Sequence, residues 1–458
     1  MPNTVNPEDE RLSAGRCVLF GLQHMLTMYG SLIATPLVIG HAAGLDTREV
    51  GALITASLLM GGAATLLQSL GLPFFGSRLP LVQGVSFAGV ATMIAIINGG
   101  GGLPEIFGAV IAAAAIGLVV TPFFAQIVRF FPPVVTGVVI TTIGLSLIPV
   151  AANWAMGGDP TAPGHGSVGN IALAGATLLV VLALSKTGSG VISRLSIMGA
   201  IVLGTALALV VGRADFSTVP GGPVFAVPTP FALGVPRFEW SAVIAMLIVI
   251  LVTLTETTAD ILAVGEVVET KVDSKRIAGG LRADMISSIV SPVFGSFTQT
   301  AFAQNVGLIA ITRVKSRFAV AAAGGILLLF GLFPILGRAA AAIPGPVIGG
   351  AGVVLFGTVV AAGIRTLAKA DYGNASNFVI VAASLGFGMI PITVPHFYDR
   401  FPPWFQVIFG SGISSAAILA VALNLVFNHI RTGNADDPSV AAVGIARRTA
   451  ASGADSGR

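Results

Sequence analysis

The chain has 458 residues, of which 54% are hydrophobic and 10% charged, with a mean hydropathy of +0.92. Soluble domains carry about a quarter charged residues, so this composition excludes an ordinary soluble enzyme, and membrane orientation accounts for the net charge of +4 without a nucleic-acid partner. A single cysteine, Cys17, excludes an intramolecular disulfide and a multi-cysteine metal site, and the polar start at 1–16 does not read as a cleavable secretory signal.

Apolar runs long enough to cross a hydrocarbon layer of about 30 Å fall at 17–39, 49–70, 80–98, 103–128, 132–152, 168–186 and 191–212. After the Pro-rich stretch ADFSTVPGGPVFAVPTP, seven more follow at 238–265, 276–294, 297–312, 317–337, 345–365, 372–394 and 406–428. The expectation is an all-α polytopic membrane protein of fourteen spans, seven plus seven. Charge tests the count, because Lys and Arg accumulate on the cytoplasmic side. With the N-terminus inside, only Arg48, Arg213, Arg237, Arg338 and Arg400 of the 24 basic residues fall outside. A miscounted span would mix the two sets, so both termini are expected in the cytoplasm, beneath the cytoplasmic (inner) membrane. Residues 1–16 then form a cytoplasmic N-terminal segment and 429–458, small and polar, a disordered cytoplasmic tail.

The two halves echo one another weakly. At a constant offset of 213, Pro133, Val134, Val135 and Gly137 match Pro346, Val347, Ile348 and Gly350. An odd number of spans per half inserts the copy upside down, and such inverted repeats are a transporter architecture. Two runs at corresponding places are wrong for plain helices. LPLVQGVSFAGVATMIAIIN carries Pro80, Gln83, Gly84 and Ser86 early and turns apolar late, while TQTAFAQNVGLIAIT is short and again polar in its first part. Each reads as a short extended strand that becomes a half-helix near mid-membrane, a backbone tolerated there only against protein or a cavity. Spans 3 and 10 are therefore expected to be broken and to frame a binding site. Gln304 and Asn305 then stand at a half-helix start, where free N–H groups and the positive end of the dipole face the cavity. They either recognise a ligand or satisfy the exposed backbone of the break.

Charged side chains within a bilayer are costly, so each asks for a reason. Glu256 and Asp260 are four residues apart, on one face of a helix; Asp284 lies in GLRADMISSIV and His24 beside Gln23 in the first span. Glu256, deep in its apolar run, is expected to face a cavity. His24 either joins helices or shapes the site, Asp260 either serves the site or reaches water near its helix end, and Asp284 either acts or lies near the interface beside Arg282. Carboxyl groups sheltered from water exchange protons near neutral pH, which is what proton coupling requires. There is no GxxxxGK[ST] phosphate loop, no HExxH and no GxSxG elbow, and neither a cofactor nor a metal is expected.

Together these residues resemble the nucleobase/ascorbate transporters, whose signature is Gln or Glu, Asn, any residue, Gly, four residues and Thr. Here it reads QNVGLIAIT, with Gln304, Asn305, Gly307 and Thr312. The likeness runs over nearly the whole chain, through the Gln23–His24 pair, QGVSFA in the third span and the acidic eighth span. It implies a core domain of spans 1–4 and 8–11 (17–128 and 238–337) moving against a gate domain of spans 5–7 and 12–14 (129–212 and 345–428), which usually dimerises. It also implies that Glu256 and Gln304 bind substrate, that Asp284 is a required acid, that His24 shapes the site, and that Phe87 and Phe302 pack against a base. Purine-type relatives often have Gly where Ala259 stands, a departure that bears on helix packing. Gln rather than Glu at the head of the signature resembles the purine carriers, and QNVGL followed by TRVKSR resembles the urate and xanthine branch.

The expected function is a proton-coupled symporter that imports xanthine or uric acid by alternating access. Glu256, Gln304, Phe87, Phe302 and Asn305 would bind substrate; Asp284, Asp260 and His24 would couple protons or shape the site. The rivals are a carrier of uracil or another nucleobase, a sulfate-permease-like anion transporter of the same fold, which Glu256 disfavours, an intramembrane enzyme, and a channel. The expected partners are the purine, protons, membrane lipid and a second copy of the chain.

Overall fold

The computed structural model describes residues 6–124, 131–158, 162, 164–186, 192–193, 195–217 and 219–429, save the side chains of Ala303, Gln304, Ile311 and Pro403. The end of the fourth expected span, the start of the seventh and the expected tail from 430 onward lie outside the described residues.

Helices occupy the expected places. In the first half they are α1 (Ala14–Ala42), α2 (Thr47–Leu70), α3 (Val90–Asn98), α4 (Leu103–Val120), α5 (Pro133–Met156), α6 (Val168–Lys186) and α7 (Ser196–Val210). In the second half they are α8 (Trp240–Val268), α9 (Ser274–Val290), α10 (Ala303–Thr312), α11 (Arg317–Phe330), α12 (Pro334–Ala341), α13 (Gly345–Leu367), α14 (Ala375–Thr393), α15 (Pro403–Phe409) and α16 (Gly412–Asn424). Among the described residues nine helices are long and apolar enough to cross a membrane, or ten if the bent pair α11–α12 counts as one span. Their ends carry ordinary signals. Asp46 accepts from the backbone of Arg48 and Glu49 while Glu49 accepts from Asp46 N, a capping box, and Asp273 accepts from Arg276 N at 2.8 Å to start α9.

Two expected spans are not straight helices. The run 317–337 bends by 83° between α11 and α12. A Cβ on Gly331 would stand 2.4 Å from Leu59 N, so the turn is pressed against α2, and Pro334 cannot continue the hydrogen-bond ladder. The run 406–428 breaks at Gly410–Ser411, where Ser411 accepts from Ser414 N at 3.3 Å and begins a new helix.

Helices meet through small residues, the usual contact where lipid offers no hydrophobic drive for association. A Cβ on Gly62 would stand 2.4 Å from Leu328 N, joining α2 to α11. One on Gly144 would stand 2.5 Å from Val360 N, and one on Gly363 2.4 Å from Thr141 N, which draws α5 and α13 into backbone contact. A large buried cluster joins α1–α5, α8, α9 and α11, with contributions from α13, α15 and α16. A second unites Val134, Val135 and Val138 of α5 with Leu367, Ile380, Ala416 and Ala420.

The helices α3 and α10 are short, 9 and 10 residues, or about 14–15 Å at 1.5 Å per residue. Each follows a buried three-residue strand, β1 (Gln83–Val85) or β2 (Gln299–Ala301). The strands pair antiparallel, Gln83 opposite Ala301, Gly84 opposite Thr300 and Val85 opposite Gln299. The pairing has a local two-fold pattern: Ser86 N donates to Thr298 O at 2.8 Å, and Phe302 N to Val82 O at 3.1 Å. The outer edges are closed alike. Thr65 on α2 accepts from Gln83 N (2.9 Å) and shares its proton between Gly61 O (2.7 Å) and Gln83 O (3.3 Å). Ser288 on α9 accepts from Gln299 N (2.9 Å) and donates to Gln299 O (3.4 Å). Main-chain groups at this depth require partners, and these hydroxyls supply them.

Candidate functional site

The site is built around the strand pair. Helix α8 packs against β2 and α10, and its run TLTETTAD places Glu256, Thr257 and Asp260 there. Glu256 is half-buried and makes no hydrogen bond or salt bridge among the described residues. Asp260 is 9% exposed and lies within electrostatic reach of both Glu256 and Asp284, eight residues short of Val268, the last residue of α8. Ala259 is exposed, so the departure from Gly falls on a face of α8 that is left open among the described residues.

Asp284 is 1% exposed and tied to β2 through hydroxyls. Thr257 donates to its Oδ2 at 2.5 Å and lies 3.1 Å from Thr300 Oγ1. Its Oδ1 has no hydrogen-bond partner among the described residues, and neither has the buried carboxamide of Gln83 at either end. The Gln83 side chain is near enough to Asp284 to interact with it, short of hydrogen-bond geometry.

Asn305, fully buried at the start of α10, spends its carboxamide on the protein. Its Nδ2 donates to Pro80 O at 2.6 Å, and its Oδ1 accepts from His24 Nδ1 at 2.7 Å. One residue thus joins α1, the stretch leading into β1, and α10. His24 is 2% exposed, and the bond places a proton on Nδ1. The Gln304 side chain lies outside the described residues; its backbone is in the first turn of α10.

Phe87 and Phe302 follow the two strands, and their rings lie 6.3 Å apart with 18° between planes. A Cβ on Gly84 would stand 2.3 Å from Leu32 Cδ2 and 2.8 Å from the Phe302 ring, so Gly alone leaves room for that ring. Phe356 of α13 meets Phe87 edge-on at 6.0 Å and Trp154 of α5 at 6.3 Å, bringing a second group of helices to the aromatic pair. Sequence reasoning missed Phe356, Thr257, Thr300, Thr65 and Ser288. Thr257 had one signal, the hydroxyl-rich run around Glu256, and Thr300 another, its place in the polar start of TQTAFAQ; the others had none, because a lone Phe, Thr or Ser in an apolar helix looks like any core residue. Among the described residues no group of three or more His, Cys, Asp or Glu could hold a metal ion.

Membrane-length apolar helices around a buried joint lined by carboxyl groups and aromatic rings define a multi-pass membrane permease, and the protein is not an enzyme. The chain belongs to the nucleobase/ascorbate transporters that its signature resembles: the profile described as Permease family matches residues 15–397. It is 40% identical over 423 residues to the uric acid transporter UacT of Escherichia coli, covering 92% of this chain and 88% of that one. It is 37% identical over 414 residues to the xanthine permease of Bacillus subtilis, covering 90% and 94%. The fold is shared with the murine anion transporter Slc26a9 in its inward-facing state, with a TM-score of 0.63 at 12% identity, covering 91% of this chain and 69% of that one.

Proposed function

We propose that this permease imports an oxidised purine, xanthine or uric acid, together with protons, across the cytoplasmic membrane by alternating access. The observation that carries the reading is Glu256: a half-buried carboxyl in mid-helix, without a hydrogen-bond partner among the described residues, beside a joint flanked by two nearly parallel phenyl rings. An oxidised purine is flat and edged with N–H donors and carbonyl acceptors. The carboxylate accepts from a ring N–H, Gln304 offers both a donor and an acceptor, and Phe87 and Phe302 cover the faces. A base held between two ring faces needs roughly 7 Å between them at two van der Waals contacts of about 3.5 Å, so the rings, whose centres lie 6.3 Å apart, part to admit one. Asn305 holds the joint while Asp284, with Asp260 and His24, carries or relays the proton. Relatives named as uric acid and xanthine permeases support the purine assignment.

The wider architecture in this reading is fourteen spans in two inverted repeats, the third and tenth broken at the strand pair, with both termini cytoplasmic. Spans 1–4 and 8–11 form a core that moves against a gate of spans 5–7 and 12–14, and two copies join through the gate. A second reading, an anion carrier, has the likeness to Slc26a9 in its favour and the acidic site against it.

Uptake of labelled xanthine and urate into proteoliposomes, with and without an inward proton gradient and with sulfate as competitor, tests the proposal. Saturable accumulation driven by the gradient and indifferent to sulfate is expected, and Gln304→Glu should weaken it and alter the preference between purines. Uptake that ignores the gradient removes proton coupling; unchanged purine preference in Gln304→Glu removes the substrate assignment.

A further inference from the structure

The segment before α1 belongs to a stretch expected to be merely polar and cytoplasmic, yet Glu8 is 1% exposed. Its Oε1 accepts from Arg276 Nη2 at 2.6 Å and from Thr270 Oγ1 at 2.9 Å. Arg276 also donates to the carbonyls of Ser77 (2.7 Å), Arg78 (3.0 Å) and Lys271 (3.1 Å). The next residue repeats the device. Asp9 Oδ1 accepts from Arg317 Nε at 2.6 Å, and Arg317 Nη1 donates to the carbonyls of Ser69 (3.0 Å) and Leu70 (2.9 Å). Ser316 Oγ donates to Glu10 O at 2.7 Å, and Lys315 pairs with Glu269 at 3.0 Å across the two loops.

These bonds converge on three connections: α2 to β1, α8 to α9, and α10 to α11. Those connections hold the ends of α8, α9 and α10, which carry Glu256, Asp260, Asp284 and Gln304, while the latching segment itself runs directly into α1 and His24. Glu269 and Arg313, which end α8 and α10, both adopt left-handed backbone, φ 63° and 56°. Such a conformation in a non-glycine residue persists only where its surroundings hold it. Exposed ion pairs contribute little, but removing one partner of a buried pair leaves the other charge uncompensated.

We propose that Glu8 and Asp9 are positioning residues: residues 6–10 latch the ends of α2, α8, α9, α10 and α11 into one body, fixing the separation between Glu256 on α8 and Gln304 on α10. The uptake readout rests on the purine reading above; the exchange readout does not. In Glu8→Ala/Asp9→Ala, KM for labelled xanthine in proteoliposomes should rise about tenfold with the maximal rate per folded protein changed less than threefold, and Glu8→Asp should recover most of the loss. Hydrogen–deuterium exchange of peptides covering 266–273 and 311–317 should quicken and spread into the first turn of α10. If the double variant does not fold, Asp9→Asn alone should give the same changes in smaller degree. An unchanged KM and unchanged exchange at α10, or a lower melting temperature with KM intact, would overturn the latch. Should the wild type take up neither purine, the purine reading fails and exchange alone decides the latch.

Discussion

The two strand–helix segments, 79–98 and 297–312, share a backbone and differ in chemistry. Each runs from a buried strand through a phenylalanine into a short helix, and each has its outer edge closed by one hydroxyl, Thr65 or Ser288. The first segment offers a wall: Gly84 gives way to the Phe302 ring, and the Gln83 carboxamide is left without a hydrogen bond among the described residues. The second carries the connections, with Thr300 in contact with the Thr257–Asp284 pair and Asn305 reaching to Pro80 and His24. A symmetric frame thus carries an asymmetric set of side chains, and the side chains, not the frame, decide what is recognised.

The sharpest way to break this comparison is Gly84→Ala. A methyl at 2.8 Å from the Phe302 ring and 2.3 Å from Leu32 overpacks the wall by about 1–3 kcal/mol and displaces the ring, so xanthine uptake should fall at least 100-fold while the protein remains extractable and folded. Near-normal uptake would show that the first segment is not part of the wall. Asn305→Ala comes next. It leaves the Pro80 carbonyl and the His24 N–H without their partner, at roughly 1–3 kcal/mol for a buried group, and uptake should drop about tenfold to 100-fold. Asn305→Asp should not rescue it, because the donor to Pro80 O is lost; full rescue by Asp would mean that the tie to Pro80 is dispensable. The smallest effects belong to Thr65→Val and Ser288→Ala. Each removes one edge hydroxyl and leaves a strand N–H unpaired, at the lower end of about 1–3 kcal/mol, and the two should lower the melting temperature by similar amounts and uptake by less than tenfold. A large inequality between them would show that the frame is less symmetric than its hydrogen bonds.

Much of this arrangement is legible from hydropathy and polarity. The places of the helices follow from apolar run length. The oddness of LPLVQGVSF and TQTAFAQN marks both strands, because polar residues early in a membrane-length run are too costly to face lipid and must meet protein or a cavity. Asn305 stands out for the same reason, though not its two partners, which come from 225 and 281 residues away in sequence. The 83° bend of α11–α12 has one cause in plain view, Pro334, and one that the sequence hides, the backbone of Leu59 on another helix pressing on Gly331. Glu8 reads as solvated from its polar neighbours; its burial depends on where Arg276 and Thr270 arrive in the fold. Phe356 carries no local signature of any role, since only the packing brings it to the joint.

The hydroxyl seals on the strand edges have a consequence for isotope labelling. The amides of Gln83, Ser86, Gln299 and Phe302 lie outside any long helix, yet each has a bonded partner and no need of water. They should therefore rank with helix interiors among the slowest protons to exchange, a quiet spot in a stretch whose sequence reads as a break, and a solvent clock for any motion that parts the two halves at their joint.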